Sequence, residues 1–137
     1  MMVLDTDVFI DHFRGQEAAT TDIHSLPAEQ RATTDITVME LSKGAANQQE
    51  LATILRVLTH NRVTRLPVST PASQRAVELV HQYGLAHGLG SPDALIAAIV
   101  LEGAHTLVTE NGRHFRFIPG LHVLRSPYRP SPPSSPI

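Results

Sequence analysis

The sequence predicts an α/β protein, specifically a three-layer α/β/α sandwich around a mostly parallel sheet of short strands. Short apolar runs of strand length alternate along the chain with longer stretches of helical period. Parallel strands need such crossover helices between them. Hydrophobic residues make up 42% of the 137 residues, which is sufficient for one buried core. One domain is therefore expected, over residues 1–125.

Each element is predicted by its own pattern. Apolar runs bounded by turn residues predict strands at residues 2–5, 32–36, 63–66, 106–109 and 122–125. Helical spacing predicts helices near residues 7–14, 16–25, 37–46, 47–59, 71–87 and 92–102. Two of these helices carry an apolar face with i, i+3, i+4, i+7 spacing, formed by Leu51, Ile54, Leu55 and Leu58 and by Ala76, Leu79, Val80 and Tyr83. Residues 94–101 are apolar all round, which predicts a helix buried against the sheet.

The last twelve residues, 126–137, differ in composition from the rest of the chain. Proline and serine dominate this tail, and such a composition cannot form a core. We therefore expect the tail to be extended or disordered.

Composition also limits the function. The chain has no cysteine, its first ten residues lack the pattern of a secretory signal, and its apolar runs are too short to cross a bilayer. These features favour a cytoplasmic protein without a membrane partner. The net charge of -2 and the pI near 6.4 lack the basic character of a strong nucleic-acid binder. Any nucleic acid must then be bound through metal and local arginines.

Three acidic residues are predicted where a strand ends or a helix begins. Asp5 closes the first apolar run, and Glu40 is predicted in the first turn of the third helix. Asp93 follows Ser91 and Pro92, which suit an N-cap and the first helical position. In open α/β sheets, ligands bind at this edge of the sheet.

Each acid also has a purely structural interpretation. Thr37 and Glu40 have the spacing of a capping box, and the helix dipole alone favours Asp93 by less than about 1 kcal/mol. Three carboxylates about 4 Å apart, however, would repel by several kcal/mol per pair, so a fold gathers them only with a cation or a raised pKa. Mg²⁺ or Mn²⁺ is the expected cation, because hard cations prefer oxygen ligands.

Four segments carry a resemblance to a known family. In order and spacing, the chain resembles the PIN domain, and more narrowly the VapC-type toxins of bacterial toxin-antitoxin pairs. The resembling segments are VLDTDVFID at 3–11, MELSKG at 39–44, PDALIA at 92–97 and VTENGRHF at 108–115, followed by IPGL at 118–121. The resemblance covers residues 2–125, which is everything except the tail.

The resemblance implies a Mg²⁺- or Mn²⁺-dependent endoribonuclease on an α/β/α sandwich. Asp5, Glu40 and Asp93 match the three principal acidic positions of the family. Asp5 and Asp93 are expected to hold the main ion, while Glu40 binds through water or orients the attacking water. Asn111 stands at a fourth position that is acidic in many PIN domains, so one or two metals remain open. Glu110 could substitute only if the strand end twists, since adjacent residues point to opposite faces.

Polar neighbours complete this expectation. Thr6 and Thr109 are expected to hydrogen-bond the carboxylates or the phosphate, and Arg113, with Arg14 and Arg116, to steer RNA. The resemblance further implies a VapB-like antitoxin that silences the enzyme, a homodimer, and a heterotetramer or larger assembly with the antitoxin. Family products carry 5'-phosphate and 3'-hydroxyl ends.

Two other functional classes fit part of the sequence. Asp5 and Asp7 also match the opening of haloacid-dehalogenase-type phosphatases, but these need a lysine beyond the middle of the fold, whereas Lys43 comes early. A PIN fold that binds RNA or antitoxin without cleavage is the second alternative, which Asn111 favours.

The eight histidines lack the paired spacing of a zinc site. Asp7 and Asp11 are interpreted as residues that cap or flank the first helix.

Overall fold

The computed structural model describes residues 1–125, and the expectation of an extended or disordered tail concerns residues outside the described part. These residues form five strands and six α-helices. The strands are β1 Met2–Leu4, β2 Arg31–Thr34, β3 Thr64–Leu66, β4 Thr106–Thr109 and β5 His122–Arg125. The helices are α1 Thr6–Phe13, α2 Glu17–Ser25, α3 Asp35–Lys43, α4 Gln48–His60, α5 Thr70–His87 and α6 Ser91–Glu102. The predicted α/β class is confirmed.

The strands form one parallel sheet in the order β3-β2-β1-β4-β5. From β1 the chain first builds the sheet outward to β2 and β3, and then returns to add β4 on the other side of β1. The order therefore reverses between β1 and β4. Such a switch point leaves a crevice at the carboxyl ends of the two strands, where ligands of open α/β sheets bind.

Two apolar clusters cover the two faces of the sheet and make the three layers. Along β1, Val3 faces the cluster formed with α5 and α6, and Leu4 faces the cluster formed with α1, α2 and α4. Leu107 and Val108 alternate in the same way on β4. All four side chains are fully buried. This alternation follows from the two-residue period of a strand and fixes which residues emerge at its end.

The start of α3 differs from the prediction. Residues Asp35 and Ile36 were expected in a strand, but they form the first turn of α3. Thr34 caps this helix, because its hydroxyl accepts a hydrogen bond from the Thr37 amide at 3.1 Å. The interpretation of Thr37 and Glu40 as a capping box is therefore wrong. The predicted position of Glu40 in the first turn is also wrong, because Glu40 is the sixth residue of α3.

Two further boundaries lie one residue from their predicted positions. Asp5 follows β1 as the N-cap of α1, although its amide still donates to the Val108 carbonyl at 3.0 Å. Gly90, rather than Ser91, is the N-cap of α6, which makes Asp93 the third helical residue. Both aspartates nevertheless lie at helix N-termini on the carboxyl edge of the sheet. Within residues 1–125, no helix is long and apolar enough to cross a membrane.

Candidate active site

A pocket of about 220 Å³ opens at the carboxyl edge of the sheet. Four carboxylates reach it from three helices: Asp5 and Asp7 from the start of α1, Glu40 from α3 and Asp93 from α6. The remaining lining residues are Thr6, Ile10, Asn111, His114 and Phe115. We call this the acidic pocket. Asp5, Glu40, Asp93, Asn111 and Thr6 were predicted as site residues, and the fold brings all five to this one pocket.

Asp5 is the most buried carboxylate of the pocket, with 7% of its surface exposed. One oxygen accepts from the Thr6 amide and the other from the Thr109 hydroxyl, each at 2.8 Å. Burial, together with the neighbouring charge of Asp7, raises the pKa of Asp5 to about 7, although these two hydrogen bonds act to lower it. The fold therefore holds a carboxylate where its negative charge is costly unless a cation compensates it.

Glu40 is held by a threonine of α1. Its Oε1 accepts from the Thr6 hydroxyl at 2.8 Å, and that hydroxyl also lies 3.1 Å from the Thr37 hydroxyl. Thr6 has one hydroxyl proton, so when it donates to Glu40 it must accept from Thr37. This chain fixes the position of a side chain that is otherwise largely exposed on α3. The prediction that Thr6 hydrogen-bonds a site carboxylate agrees with this geometry.

Asp7 joins α1 to the end of β4. Its Oδ2 accepts from the Glu110 amide at 3.1 Å and from the Asn111 side-chain nitrogen at 2.9 Å, and lies 3.1 Å from the Thr109 hydroxyl. Its Oδ1 is buried without a hydrogen-bond partner in the described residues. Burial raises the pKa of Asp7. Thr109 has a single hydroxyl proton, so it can donate to only one of the carboxylates of Asp5 and Asp7 at a time. The facing oxygen of the other carboxylate then keeps a lone pair for a proton or a cation.

Asp93 lies across the pocket and is about one-third exposed. Its Oδ2 is 3.7 Å from His114 Nδ1, close enough for an ion pair when the histidine is protonated. Burial raises the pKa of Asp93, His114 lowers it, and the charges of Glu40 and Asp7 raise it again. The charges of these carboxylates therefore influence the pKa values of their neighbours in the pocket.

The donor chemistry of the pocket fits a hard divalent cation. It offers four carboxylates, one with an unpaired buried oxygen, and three of them with a pKa raised by burial and neighbouring charge. Among residues 1–125, no group of three or more histidine, aspartate and glutamate side chains is arranged to hold an ion together. Magnesium, however, usually binds through one or two carboxylates and keeps several waters. The residues present therefore fit Mg²⁺ or Mn²⁺ through a water-rich site.

Other predicted residues lie beside the acidic pocket. Arg113 and Arg116 line a neighbouring pocket with Arg125, while Arg14 lies in a groove formed by α1, α3 and α4. Glu110 does not take the place of the missing fourth acid. Its side chain pairs with Asp11 instead, which raises the pKa of Glu110 to about 7.

Two pocket residues were missed at the level of sequence. Asp7 was assigned to the capping or flanking of α1, but Asp5 is the cap and Asp7 binds the end of β4. His114 was counted among isolated histidines. The Asp-x-Asp spacing was a usable signal for Asp7, whereas nothing in the sequence shows that His114 approaches Asp93.

The fold and the pocket together define a class: parallel α/β proteins with an acidic site at the switch point between β1 and β4. Comparison with protein families matches residues 2–120 to the PIN domain. The chain belongs to the PIN domain family. The resemblance seen in its four sequence segments is thereby confirmed, and VapC-type PIN domains are in general nucleases.

Solved structures of the same fold include several toxin-antitoxin proteins. A chain of a toxin-antitoxin complex from Klebsiella pneumoniae is 29% identical, with a TM-score of 0.76, and the alignment covers 93% of this chain and 98% of that one. A chain of FitAcB from Neisseria gonorrhoeae is 25% identical, with a TM-score of 0.70 and coverage of 90% and 96%. VapBC2 from Rickettsia felis, bound to a DNA fragment from its promoter, shares the fold at 23% identity, with a TM-score of 0.75 and coverage of 90% and 97%. A search of curated proteins gives no match.

The phosphatase alternative is not supported. The family is the PIN domain, and the residues that line the acidic pocket include no lysine. Lys43 lies at the far end of α3. Asp7, the acid/base residue of that alternative, is instead bound by the end of β4.

Proposed function

We propose that this protein is a metal-dependent endoribonuclease and the toxin of a toxin-antitoxin pair. The observation that carries the proposal is the acidic pocket of a PIN-domain chain, where Asp5, Glu40 and Asp93 converge at the switch point of the sheet. The raised pKa of Asp5 supports a site built for a cation, since burial there is unfavourable for the bare charge. The activity is hydrolysis of RNA phosphodiester bonds.

Mg²⁺ or Mn²⁺ is the proposed cofactor. Asp5 and Asp93 would bind it directly, and Glu40 would bind it through water. When bound, such an ion supplies positive charge at the phosphate and acidifies water at neutral pH. Asn111 stands where many PIN domains have a further acid, and its side-chain nitrogen is engaged with Asp7. We therefore propose one firmly bound ion.

The neighbouring side chains set the positions and protonation states of these ligands. Thr109 donates to Asp5 and so favours its ionised form, which is the form that binds a cation. Thr6 holds Glu40 in position, and Glu40 would orient the attacking water. His114 beside Asp93 is a candidate for contact with the phosphate or the leaving group. The resemblance to the family implies products with 5'-phosphate and 3'-hydroxyl ends.

A VapB-like antitoxin is the proposed partner. The neighbouring fold from Klebsiella pneumoniae belongs to a chain of a toxin-antitoxin complex. A groove of about 570 Å³ between α1, α3 and α4 adjoins the acidic pocket and shares Ile10 and Glu40 with it. Ile10 and Phe13 are each 37% exposed there, which gives an apolar partner a surface to cover.

The proposed assembly is a homodimer of toxin chains that joins the antitoxin in a heterotetramer or larger complex, and the proposed location is the cytoplasm. A small protein encoded beside this gene should copurify with the chain when both are expressed together. Absence of both a neighbouring short reading frame and a copurifying protein would contradict this part of the proposal.

The test of the activity uses purified chain without partner. Structured and unstructured RNAs are incubated in Mg²⁺, Mn²⁺ or EDTA, with an identically prepared Asp5→Ala variant as the control. Cleavage that requires metal and disappears in the variant is the expected result. Cleavage that persists in Asp5→Ala would point to a contaminating nuclease and overturn the assignment.

One alternative has an observation in its favour, namely a PIN-fold module that binds RNA or antitoxin without cutting. Among residues 1–125, no three histidine, aspartate or glutamate side chains are arranged to hold an ion together, and an asparagine, Asn111, stands where many PIN domains have a further acid. This alternative predicts RNA or antitoxin binding, weak metal affinity and no cleavage of any RNA in the same assay. Restoration of cleavage by Asn111→Asp would then identify the missing acid as the cause.

A further inference from the structure

A second pocket lies on the other side of the turn that follows β4. Its volume is about 230 Å³, and it is lined by Glu110, Asn111, Gly112, Arg113, Arg116 and Arg125. Three arginines against one glutamate give it a positive charge. We call it the arginine pocket. All three arginine residues are exposed and therefore accessible to a large ligand.

The two pockets are separated by one short segment. Residues Gly112–His114 form a 3-10 turn, in which successive side chains point in different directions. His114 lines the acidic pocket, whereas Arg113 lines the arginine pocket. Asn111 lines both pockets. A ligand that fills one pocket can therefore continue past Asn111 into the other.

The sheet register brings the third arginine to the same place. Arg125 is the parallel partner of Thr109, which is the threonine that hydrogen-bonds Asp5. Neighbouring strands lie about 4.8 Å apart, so Arg125 is one strand away from the acidic pocket. The arginine pocket thus occupies the next position along the carboxyl edge of the sheet.

Gly112 makes room for one of the guanidinium groups. A Cβ placed on Gly112 would lie 2.8 Å from Nη2 and 2.9 Å from Cζ of Arg116. The Arg116 side chain therefore packs against the glycine backbone, where any larger residue would displace it. This contact sets the direction of a planar group whose paired N–H donors match phosphate oxygens.

The geometry points to the arginine pocket as a binding subsite for a phosphodiester of the RNA strand that continues from the acidic pocket. The inference rests on the proposed endoribonuclease function and extends it to three residues: Arg113, Arg116 and Arg125. Four carboxylates in the acidic pocket repel a polyanion, and adjacent positive charge offsets this repulsion. An extended strand that lies along the carboxyl edge of the sheet meets both pockets in turn.

Binding can be tested without cleavage. The affinity of a fluorescent single-stranded RNA is measured in EDTA over a range of salt concentrations for the parent chain and for Arg113→Ala, Arg116→Ala and Arg125→Ala. Each variant should bind about tenfold more weakly, and the slope of log affinity against log salt should fall by about 0.7 per lost phosphate contact. Arg56→Ala removes the same charge from an exposed position on α4 and is the matched control.

The Gly112→Ala variant tests the packing of Arg116. The added methyl group meets only the end of a flexible side chain, so the fold should remain intact while the guanidinium moves. Gly112→Ala should weaken RNA binding in the parent and have no further effect in the Arg116→Ala background. An equal loss in both backgrounds would contradict the role given to this contact.

Kinetics separate this inference from the proposed function. In the cleavage assay, the three arginine variants should raise KM about tenfold with little change in kcat, because their contacts lie outside the acidic pocket. Unchanged KM, affinity and salt slope in all three would overturn the inference while leaving the nuclease intact. The inference also fails if Arg56→Ala loses as much RNA affinity as the three arginine variants. It fails equally if those three variants keep their RNA affinity and lose antitoxin binding instead. Absence of metal-dependent cleavage in the parent would instead contradict the proposed function.

Discussion

The acidic pocket and the arginine pocket lie side by side but are built differently. The carboxylate of Asp5 is buried, that of Asp7 is half-buried, and both are hydrogen-bonded to neighbouring elements. The arginine residues are exposed, and their positions depend on one short turn and on the end of β5. Buried charges in fixed positions suit a bound ion and a reacting phosphate, whereas exposed guanidinium groups suit a flexible strand. The comparison separates the residues expected to control kcat from those expected to control KM.

The largest expected effect is the loss of cleavage in Asp5→Asn. The substitution keeps the size of the side chain but removes the charge that a divalent ion requires, so the rate should fall by at least about a thousandfold. Asp35→Asn is the matched control, because it removes a partly exposed carboxylate that forms a surface ion pair with Arg65 at 3.1 Å. Single-turnover rates with a labelled RNA provide the measurement. Comparable losses in the two variants would show that general charge, rather than the acidic pocket, controls the rate.

The second prediction concerns stability and pH without metal. Because the pKa of Asp5 rises from 3.8 to about 7 on folding, the folded state binds the extra proton between these values. The contribution of Asp5 to the free energy of unfolding should therefore be greatest below about pH 4 and should fall as the pH rises towards 7. A difference of about three pKa units corresponds to a loss of about 4 kcal/mol in the free energy of unfolding over this pH range.

Asp5→Asn should remove this part of the pH dependence and stabilise the metal-free protein above pH 7. Urea unfolding at pH 5 and pH 8 in EDTA measures the difference for both proteins. Mg²⁺ should restore stability to the parent at pH 8 and have little effect on the variant. Equal pH dependence in the two proteins would mean that Asp5 is not held in an unfavourable charged state.

A smaller effect is expected from Thr109→Val, which keeps the side-chain shape and deletes the hydroxyl that donates to Asp5. Loss of this contact raises the pKa of Asp5 and loosens its orientation, so cleavage at pH 7 should fall by about 10- to 100-fold. Part of the loss should be recovered at higher pH, where Asp5 is ionised again. Thr106→Val, at the other end of β4, serves as the control and should retain the parent rate.

The smallest effect is expected from Asp7→Asn. An asparagine whose carbonyl oxygen takes the place of Oδ2 can still accept from both the Glu110 amide and the Asn111 side-chain nitrogen, so the rate should change by less than about fivefold. The charge of Asp7 raises the pKa of Asp5, so its removal should move the acidic limb of the pH–rate profile to lower pH. Complete loss of activity would indicate that Asp7 takes part directly in the chemistry.

The sequence predicted every strand and α-helix of the described residues, because apolar alternation and helical spacing are local signals. The end of β2 was less predictable. Asp35 and Ile36 directly follow Thr33 and Thr34, whose β-branched side chains favour a strand, but the Thr34 hydroxyl caps the helix that begins at Asp35. The pattern of apolar residues alone does not distinguish a strand end from the first turn of a helix.

The candidate site was predictable where it depends on element ends. Asp5 and Asp93 were identified because strand ends and helix starts meet at one edge of a parallel sheet. Glu40 was identified from a predicted position in the first turn of α3, but it reaches the pocket from the sixth position of that helix. The contacts of Asp7 and the position of Arg125 depend on β4 lying beside β1 and β5 beside β4. Strand order is a property of the whole fold, and no local pattern in the sequence indicates it.

The central claim is that the acidic pocket binds the divalent ion used in cleavage. Direct titration of Mn²⁺, followed by electron paramagnetic resonance at pH 8, tests it most directly with the parent, Asp5→Asn, Asp93→Asn and the Asp35→Asn control. The account predicts saturable Mn²⁺ binding that is retained in the control, lost in the two pocket variants, and accompanied by equal losses of RNA cleavage. Undiminished Mn²⁺ binding in both pocket variants would contradict it.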